Sequence, residues 1–251
     1  MVQQEHYLSV IIPVFKQQRT IVKNLIRIKN VLDKIHYRHE IIVVIDGIVD
    51  DSLRKIKAAQ LPRLKTLGYI KNQGKSYAIR LGMQKAKGDY VMFIDSGKEI
   101  DPNGITMLLA HMEWYKADII VGSKRHPASF VHYSLIRKIL SFGYYFLVKL
   151  LFGIKVKDTQ AGIKIYRKKV LQKVIPRLVE KKFAGDLEIL VVAQKLGFNR
   201  VFEAPIRLDY KFASVTSAAT LHSIIGIFVD TLAIFYRKNI LRYYDQTHEK
   251  R

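Results

Sequence analysis

The 251-residue chain contains no cysteine, which excludes disulfides and thiolate metal sites and leaves its redox compartment undetermined. It has no Gly-x4-Gly-Lys phosphate loop and no Gly-x-Gly-x-x-Gly after its first apolar run, which argues against kinase, NTPase and dinucleotide-binding readings. His111, His126 and His132 show no metal-ligand spacing and read as surface or packing residues, and no serine lies in a nucleophile elbow. The most apolar stretch, Ile139 to Ile154, is 16 residues long and carries Lys149, short of the ~20 residues that span a bilayer. A second, from Ile224, is shorter and carries Asp230. The amino terminus, MVQQEHYLSVIIPV, lacks a basic segment, a long apolar stretch and a small-residue cleavage site, so a cytoplasmic location is expected.

Acidic residues are scarce as well. Lys and Arg number 43 against 21 Asp and Glu, a net charge of +22 that favours an anionic partner: nucleic acid, a phospholipid surface or a phosphorylated substrate. Between Lys124 and Lys181 fourteen basic residues face only Asp158 and Glu180, and the same stretch holds the most apolar segment. A nucleic-acid partner is not expected, because the aromatics do not interleave as in a single-strand platform and the apolar helix would have no purpose. Apolar residues beside Arg137, Lys138 and Lys149 suit a core helix, and they also suit a helix lying in an anionic membrane interface.

Hydrophobicity is plentiful, and the first half of the chain alternates regularly. YLSVIIPV, EIIVVID, LKTLGYI, DYVMFID and ADIIVGS read as strands, separated by helical segments such as TIVKNLIRIKNVLDKI and GKSYAIRLGMQKAK. This rhythm predicts βαβ units and a mainly parallel sheet with helices on both faces, an α/β fold. Ligands of such sheets sit at the carboxyl ends of strands, where Asp46, Asn72, Asp95 and Ser123 fall. Beyond Ser123 come a polar loop, the long apolar helix, the loop–strand–helix stretch VKDTQAGIKIYRKKVL, the helix FAGDLEILVVAQKLG and the strand RVFEAPIRL. A final amphipathic helix is expected from about Ala218 to Tyr236, then a basic aromatic tail.

No single motif decides the function, but an ordered series does. SVIIPVF, EIIVVIDG, NQGKSYAIRLGMQKAKGDYVMFID, GSKR, RKILS, DTQAGIKIYRKKVL, FAGDLEIL and EAPIRL follow one another through nearly the whole chain. The series resembles the inverting family 2 glycosyltransferases of the GT-A fold, and within them the dolichyl-phosphate glucosyltransferase and mannose synthase branch. The resemblance implies a GT-A domain over residues 1–217, with 218–251 as a membrane-surface helix and tail. It implies a nucleotide-sugar donor of the UDP-glucose or GDP-mannose type and a polyprenyl phosphate acceptor. Pro13, Phe15, Gln17 and Asp46 match the base and ribose pocket, Asp46 as acceptor for a base N–H. Asn72, Gly74 and Lys75 match a loop beside the diphosphate, with Asp95 and Ser96 next to it. Asp95, Asp186 and Glu188 match catalytic-centre carboxylates. Lys124, Arg137, Ser141 and Lys164 match or neighbour the positions that grip the acceptor phosphate.

The chain also departs from the family pattern. Gly97 replaces the second carboxylate of the Asp-x-Asp motif, Ile45 replaces an acid beside Asp46, and Lys16-Gln17 stand where Asn-Glu is usual. The resemblance then leaves Asp95 and Glu99 to hold Mg²⁺ or Mn²⁺, bound weakly for want of carboxylates. Three readings stay open: transfer to polyprenyl phosphate, transfer to a saccharide or protein acceptor, and a non-catalytic nucleotide-sugar or membrane-binding scaffold. A peripheral position on the cytoplasmic membrane face is expected, and a membrane-protein partner is an equal candidate for anchoring the chain.

Overall fold

The computed structural model describes residues 6–97, 99–130, 135–208 and 221–246, with the side chains of 135–139 and 221–224 also left aside. The strands are β1 (Leu8–Val14), β2 (His39–Asp46), β3 (Leu64–Tyr69), β4 (Tyr90–Ile94), β5 (Ile119–Ser123), β6 (Ile163–Arg167) and β7 (Val201–Pro205). The helices are α1 (Ile21–Leu32), α2 (Ser52–Ala58), α3 (Lys75–Lys85), α4 (Gly104–Trp114), α5 (Leu135–Phe152), α6 (Lys168–Val174), α7 (Gly185–Lys195) and α8 (Leu221–Asn239). The strands form one sheet in the order β3-β2-β1-β4-β6-β5-β7. β6 runs antiparallel to β4 and β5, and the other pairings are parallel.

Central strands buried on both faces need uninterrupted apolar sequence, and β1, β2, β4 and β5 supply it. Alternate residues divide between two cores. Ile11, Val44, Phe93 and Val121 face α3, α5, α6, α7 and α8, whereas Val10, Ile12, Val43 and Met92 face α1 and α4. On α1, the burial of Ile21, Leu25, Ile28 and Leu32 follows helical spacing.

α8 sits on the first of these cores through Thr231 and Ile234, and the segment beyond it returns to bury Tyr244 completely. The Tyr244 hydroxyl donates to Glu188 on α7 at 2.8 Å. Glu188 also accepts the Val179 N–H at 3.0 Å and the Glu180 N–H at 2.9 Å. Arg237 of α8 pairs with Glu180 and comes within 3.9 Å of Glu188. One buried carboxylate therefore ties together α7, the 179–180 backbone and the Tyr243–Asp245 turn. Tyr244→Phe should lower unfolding free energy by about 1–3 kcal/mol, the cost of an acceptor deprived of a buried partner, measured by urea denaturation. Burial raises the Glu188 pKa above its ordinary 4.5 despite those donors. Its contribution to stability is therefore full below pH 4.5 and lost as pH rises through the folded value, and Glu188→Gln should remove that slope.

Candidate active site at the carboxyl ends of the strands

Because β1, β2 and β4 are parallel neighbours, Val14, Asp46 and Asp95 all emerge at one edge of the sheet. Such an edge is where open α/β sheets bind ligands. Asp46 is buried there, and its carboxylate is already filled. Oδ1 accepts from the Tyr69 hydroxyl and the Gln73 N–H, each at 2.8 Å, and Oδ2 from Asn72 Nδ2 at 2.8 Å and the Gly74 N–H at 3.1 Å. A carboxylate with these four donors has no lone pair left for a base N–H. In this structure Asp46 clamps the 72–74 loop, a placement that differs from the acceptor role expected from the sequence.

The clamp fixes where α3 begins. Gly74 has φ 104°, and a Cβ there would lie 2.4 Å from the Lys181 carbonyl oxygen, so only glycine fits. The Tyr77 N–H donates to that same carbonyl at 3.1 Å. Lys75, the first residue of α3, is thereby aimed across the sheet edge.

Lys75 Nζ lies 2.8 Å and 3.0 Å from the two oxygens of Asp95 and 3.9 Å from Asp186. Asp186 in turn accepts from Lys164 Nζ at 2.7 Å, and Lys164 also donates to the Ala161 carbonyl at 2.9 Å. Both ammonium groups lie over the Phe93 ring, Lys75 at 5.5 Å and Lys164 at 5.0 Å from its centre. The result is an alternating row, Asp95–Lys75–Asp186–Lys164, that runs from the rim inward. Lys75 and Asp95 are 23% and 36% exposed, Asp186 4% and Lys164 0%. Burial depresses the Lys164 pKa below its usual value against the pull of Asp186. Burial acts on Lys75 too, but Asp95 and Asp186 together outweigh it and hold its pKa above the usual value. Asp95 is set by its own N–H, which donates to the Gly162 carbonyl at 2.8 Å, and by Gly162, where a Cβ would meet Asp95 Oδ2 at 2.3 Å.

The structure brings Lys75, Asp95, Asp186 and Lys164 together and leaves Glu188 out. Although only two residues from Asp186, Glu188 points along α7 toward Tyr244, so its place is in the core and not among catalytic carboxylates. Lys164 is likewise displaced from its expected role. It is the floor of the cluster, with no surface on which to grip a lipid phosphate.

Pro13 and Ser96 are buried against each other, the Ser96 hydroxyl donating to the Pro13 carbonyl at 2.8 Å. Phe15 stands exposed at the rim with Lys16 5.2 Å from its ring centre. The Gln17 N–H donates to Ser52 at 3.1 Å, while its buried Oε1 has no partner. Gly97 is exposed, Glu99 is half-buried, and Ile100 bridges Leu208, which pins the stretch after Glu99. Among the described residues no three His, Asp or Glu side chains are grouped to hold a metal ion.

On the acceptor side, Lys124 follows β5, its N–H donating to Asp158 at 3.0 Å and its Nζ 3.6 Å away from the same carboxylate. Arg125 is marked in the sequence only by its place in GSKR. Its guanidinium is bonded to Ser141 on α5 and lies 5.3 Å and 5.4 Å from the ring centres of Phe142 and Tyr145. Arg137 is in α5, with its side chain outside the described set. Gln160 donates to the Tyr144 hydroxyl at 3.4 Å, which is 3.2 Å from Thr231 of α8. α5 and α8 thus meet beside the same sheet edge. Their outer faces expose Leu140, Phe142, Phe146 and Leu150, and Ile225, Phe228, Val229 and Leu232. Among the described residues no helix is long and apolar enough to cross a membrane.

The chain is similar in sequence and in fold to known proteins. The chain is 28% identical over 205 residues to the dolichyl-phosphate beta-glucosyltransferase of Dictyostelium discoideum, covering 76% of this chain and 63% of that protein. It is 25% identical over 193 residues to the dodecaprenyl-phosphate galacturonate synthase of Rhizobium johnstonii, covering 76% and 54%. The chain therefore spans less than two thirds of the length of these curated relatives. Glucosyl-3-phosphoglycerate synthase from Mycobacterium tuberculosis, solved with Mn²⁺, uridine diphosphate and phosphoglyceric acid, superposes with a TM-score of 0.71 at 15% identity, over 92% of this chain and 78% of that one. Mannosyl-3-phosphoglycerate synthase from Rubrobacter xylanophilus gives a TM-score of 0.69 at 14% identity, over 93% and 74%. These two likenesses establish the fold, and the glycosyl transferase family 2 model matches residues 9–175, so the chain belongs to glycosyl transferase family 2.

Proposed function

We propose that the chain transfers a hexose from a nucleoside diphosphate sugar to a polyprenyl phosphate at a membrane surface, with inversion at the anomeric carbon. The observation that carries this reading is the partly exposed Lys75–Asp95 pair at the sheet edge, adjoining the apolar faces of α5 and α8. A polar site for a diphosphate and an apolar surface for an isoprenoid chain lie side by side. Relatives that carry dolichyl-phosphate and dodecaprenyl-phosphate in their names support the choice of acceptor.

In this reading an oxygen of the acceptor phosphate attacks the anomeric carbon in line. The new carbon–oxygen bond forms as the bond to the diphosphate breaks, and the nucleoside diphosphate leaves with the electron pair. A phosphate oxygen is ionised at neutral pH, so no strong base is required, and rate depends on positioning and on stabilising the leaving charge. Lys75 is the cation placed to meet that charge, with Asp186 orienting it. Lys124 and Arg125, beside α5, are cations placed to meet the acceptor phosphate, with Arg137 of α5 a further candidate. Asp95 and Glu99 would hold a divalent ion, and their hard oxygen donors suit Mg²⁺ or Mn²⁺. When bound, the ion would supply positive charge to offset that of the diphosphate. The Mn²⁺ and uridine diphosphate in the M. tuberculosis structure support divalent-metal use, with Asp95 and Glu99 as the residues we propose for it.

The test is incubation of the full chain with UDP- and GDP-sugars carrying a labelled hexose, polyprenyl phosphate in vesicles, and Mg²⁺ or Mn²⁺. Labelled lipid of inverted configuration is the expected result. Label entering a saccharide or protein but not lipid would favour the second acceptor class. Donor binding with no turnover would identify a scaffold.

A further inference from the structure

From the geometry of Asp95 we infer that Lys75 is a resident cation of the diphosphate site, occupying the carboxylate that a divalent ion would need and sustaining nucleotide binding without metal. This rests on the reading of the site as a nucleotide-sugar pocket and concerns how that pocket is neutralised.

Three observations combine. First, Lys75 Nζ meets both oxygens of Asp95, at 2.8 Å and 3.0 Å, so a metal ion approaching this carboxylate competes with an ammonium already in contact with it. Second, the surrounding carboxylates that would tip that competition toward the metal are thinned out. Gly97 stands exposed two residues on, Ile45 is buried apolar core, and Lys16 adds a positive charge at the rim. Third, Lys75 is not a mobile surface lysine. Its backbone is set by the Asp46 clamp and by Gly74 against Lys181, Asp186 lies 3.9 Å from its Nζ, and Phe93 lies beneath it. It is still 23% exposed, which leaves an open side for a phosphate oxygen. A divalent ion and Lys75 thus compete for one carboxylate. Metal binding should push the lysine from Asp95 toward Asp186 or the diphosphate, and metal removal should return it.

Calorimetric titration of uridine and guanosine diphosphate into the full chain tests this, in EDTA and in Mn²⁺, for the native protein, Lys75→Gln and Lys75→Arg. Native protein should bind its nucleotide in EDTA within about tenfold of its affinity in Mn²⁺. Loss of a charge-assisted bond predicts that Lys75→Gln weakens binding in EDTA by roughly 10–100-fold, and by much less in Mn²⁺, which then has Asp95 to itself. Lys75→Arg should restore metal-free binding, with thermal unfolding verifying that each variant is folded. Native binding that appears only with Mn²⁺, or Lys75→Gln weakening both conditions equally, would overturn the inference and leave the nucleotide pocket standing. A native chain that binds neither nucleotide in either buffer would overturn the pocket itself, and the inference with it.

Discussion

Asp186→Asn should destabilise the protein by about 3–5 kcal/mol, the usual cost of stripping one partner from a buried ion pair. At this chain length that lowers the melting temperature by roughly 10 °C. Lys164 is completely buried and Asp186 is its sole charged partner within bonding distance among the described residues. Without it, only the Ala161 carbonyl and the face of Phe93 would receive the ammonium. The converse change, Lys164→Met, should cost less, because Asp186 keeps Lys75 at 3.9 Å and the methionine fills the same apolar space. The two deletions are therefore unequal, and a double-mutant cycle should show strong coupling.

The pH dependence gives a sharper signature. Burial already depresses the Lys164 pKa, and removing Asp186 depresses it further. The folded variant then releases the Lys164 proton at a pH where the unfolded chain, with a lysine of ordinary pKa, still holds its own. An unfolded state that binds more protons means stability rises with pH, by about 1.4 kcal/mol per unit while the difference is one proton. The deficit of Asp186→Asn relative to native protein should therefore shrink as pH rises from the variant's folded Lys164 pKa to the native one, which itself lies below the ordinary 10.5. Denaturant unfolding at several pH values measures it, and a constant deficit would mean that the pair contributes packing and not charge.

The sequence carries the strand framework of this site. The strands could be read because central parallel strands are continuously apolar, and Asp46, Asp95 and Ser123 were placed at strand ends by that rhythm alone. The antiparallel course of β6 between β4 and β5 was not legible, since an apolar run such as Ile163–Arg167 marks a strand without giving its direction. That insertion brings Lys164 under Asp186, a burial that the strand pattern alone does not reveal. The partners of Glu188 and Asp46 are hidden in the sequence for another reason. Spacing locates a carboxylate on a helix or strand, but not which N–H groups the rest of the chain will deliver to it. Glu188 receives Val179, Glu180 and Tyr244, and Asp46 receives the 72–74 loop, from partners 8 to 56 residues away. The expected final helix over 218–236 is seen at Leu221–Asn239, with 218–220 outside the described residues.

The second large effect concerns the apolar faces. Phe142→Ser, Phe146→Ser and Leu150→Ser together should weaken binding to anionic vesicles by roughly 30–1000-fold, if partial insertion realises about 2–4 kcal/mol of the transfer energy of three large side chains. These residues recur every four positions on α5, and Leu150 is 84% exposed, so their removal costs the core nothing. Nucleotide affinity should be unchanged, because Lys75, Asp95 and Asp186 lie on other elements. Transfer to vesicle-borne polyprenyl phosphate should fall in step with vesicle binding, whereas transfer to a short, water-soluble analogue should survive. The basic groups interleaved with this face divide the energy further. Arg125 lies over Phe142 and Tyr145, and Lys149 is 5.9 Å from the Tyr145 ring centre. Raising ionic strength should weaken the native protein's hold on anionic vesicles, since charges at a wetted surface are screened over about 10 Å at 0.1 M salt. In the triple variant the residual binding should become almost wholly salt-sensitive, because the apolar share is gone and only the charge remains. Vesicle flotation across a salt series separates the two shares. A triple variant that floats as the native protein does would assign the face to a membrane-protein partner, with the lipid reached by another surface.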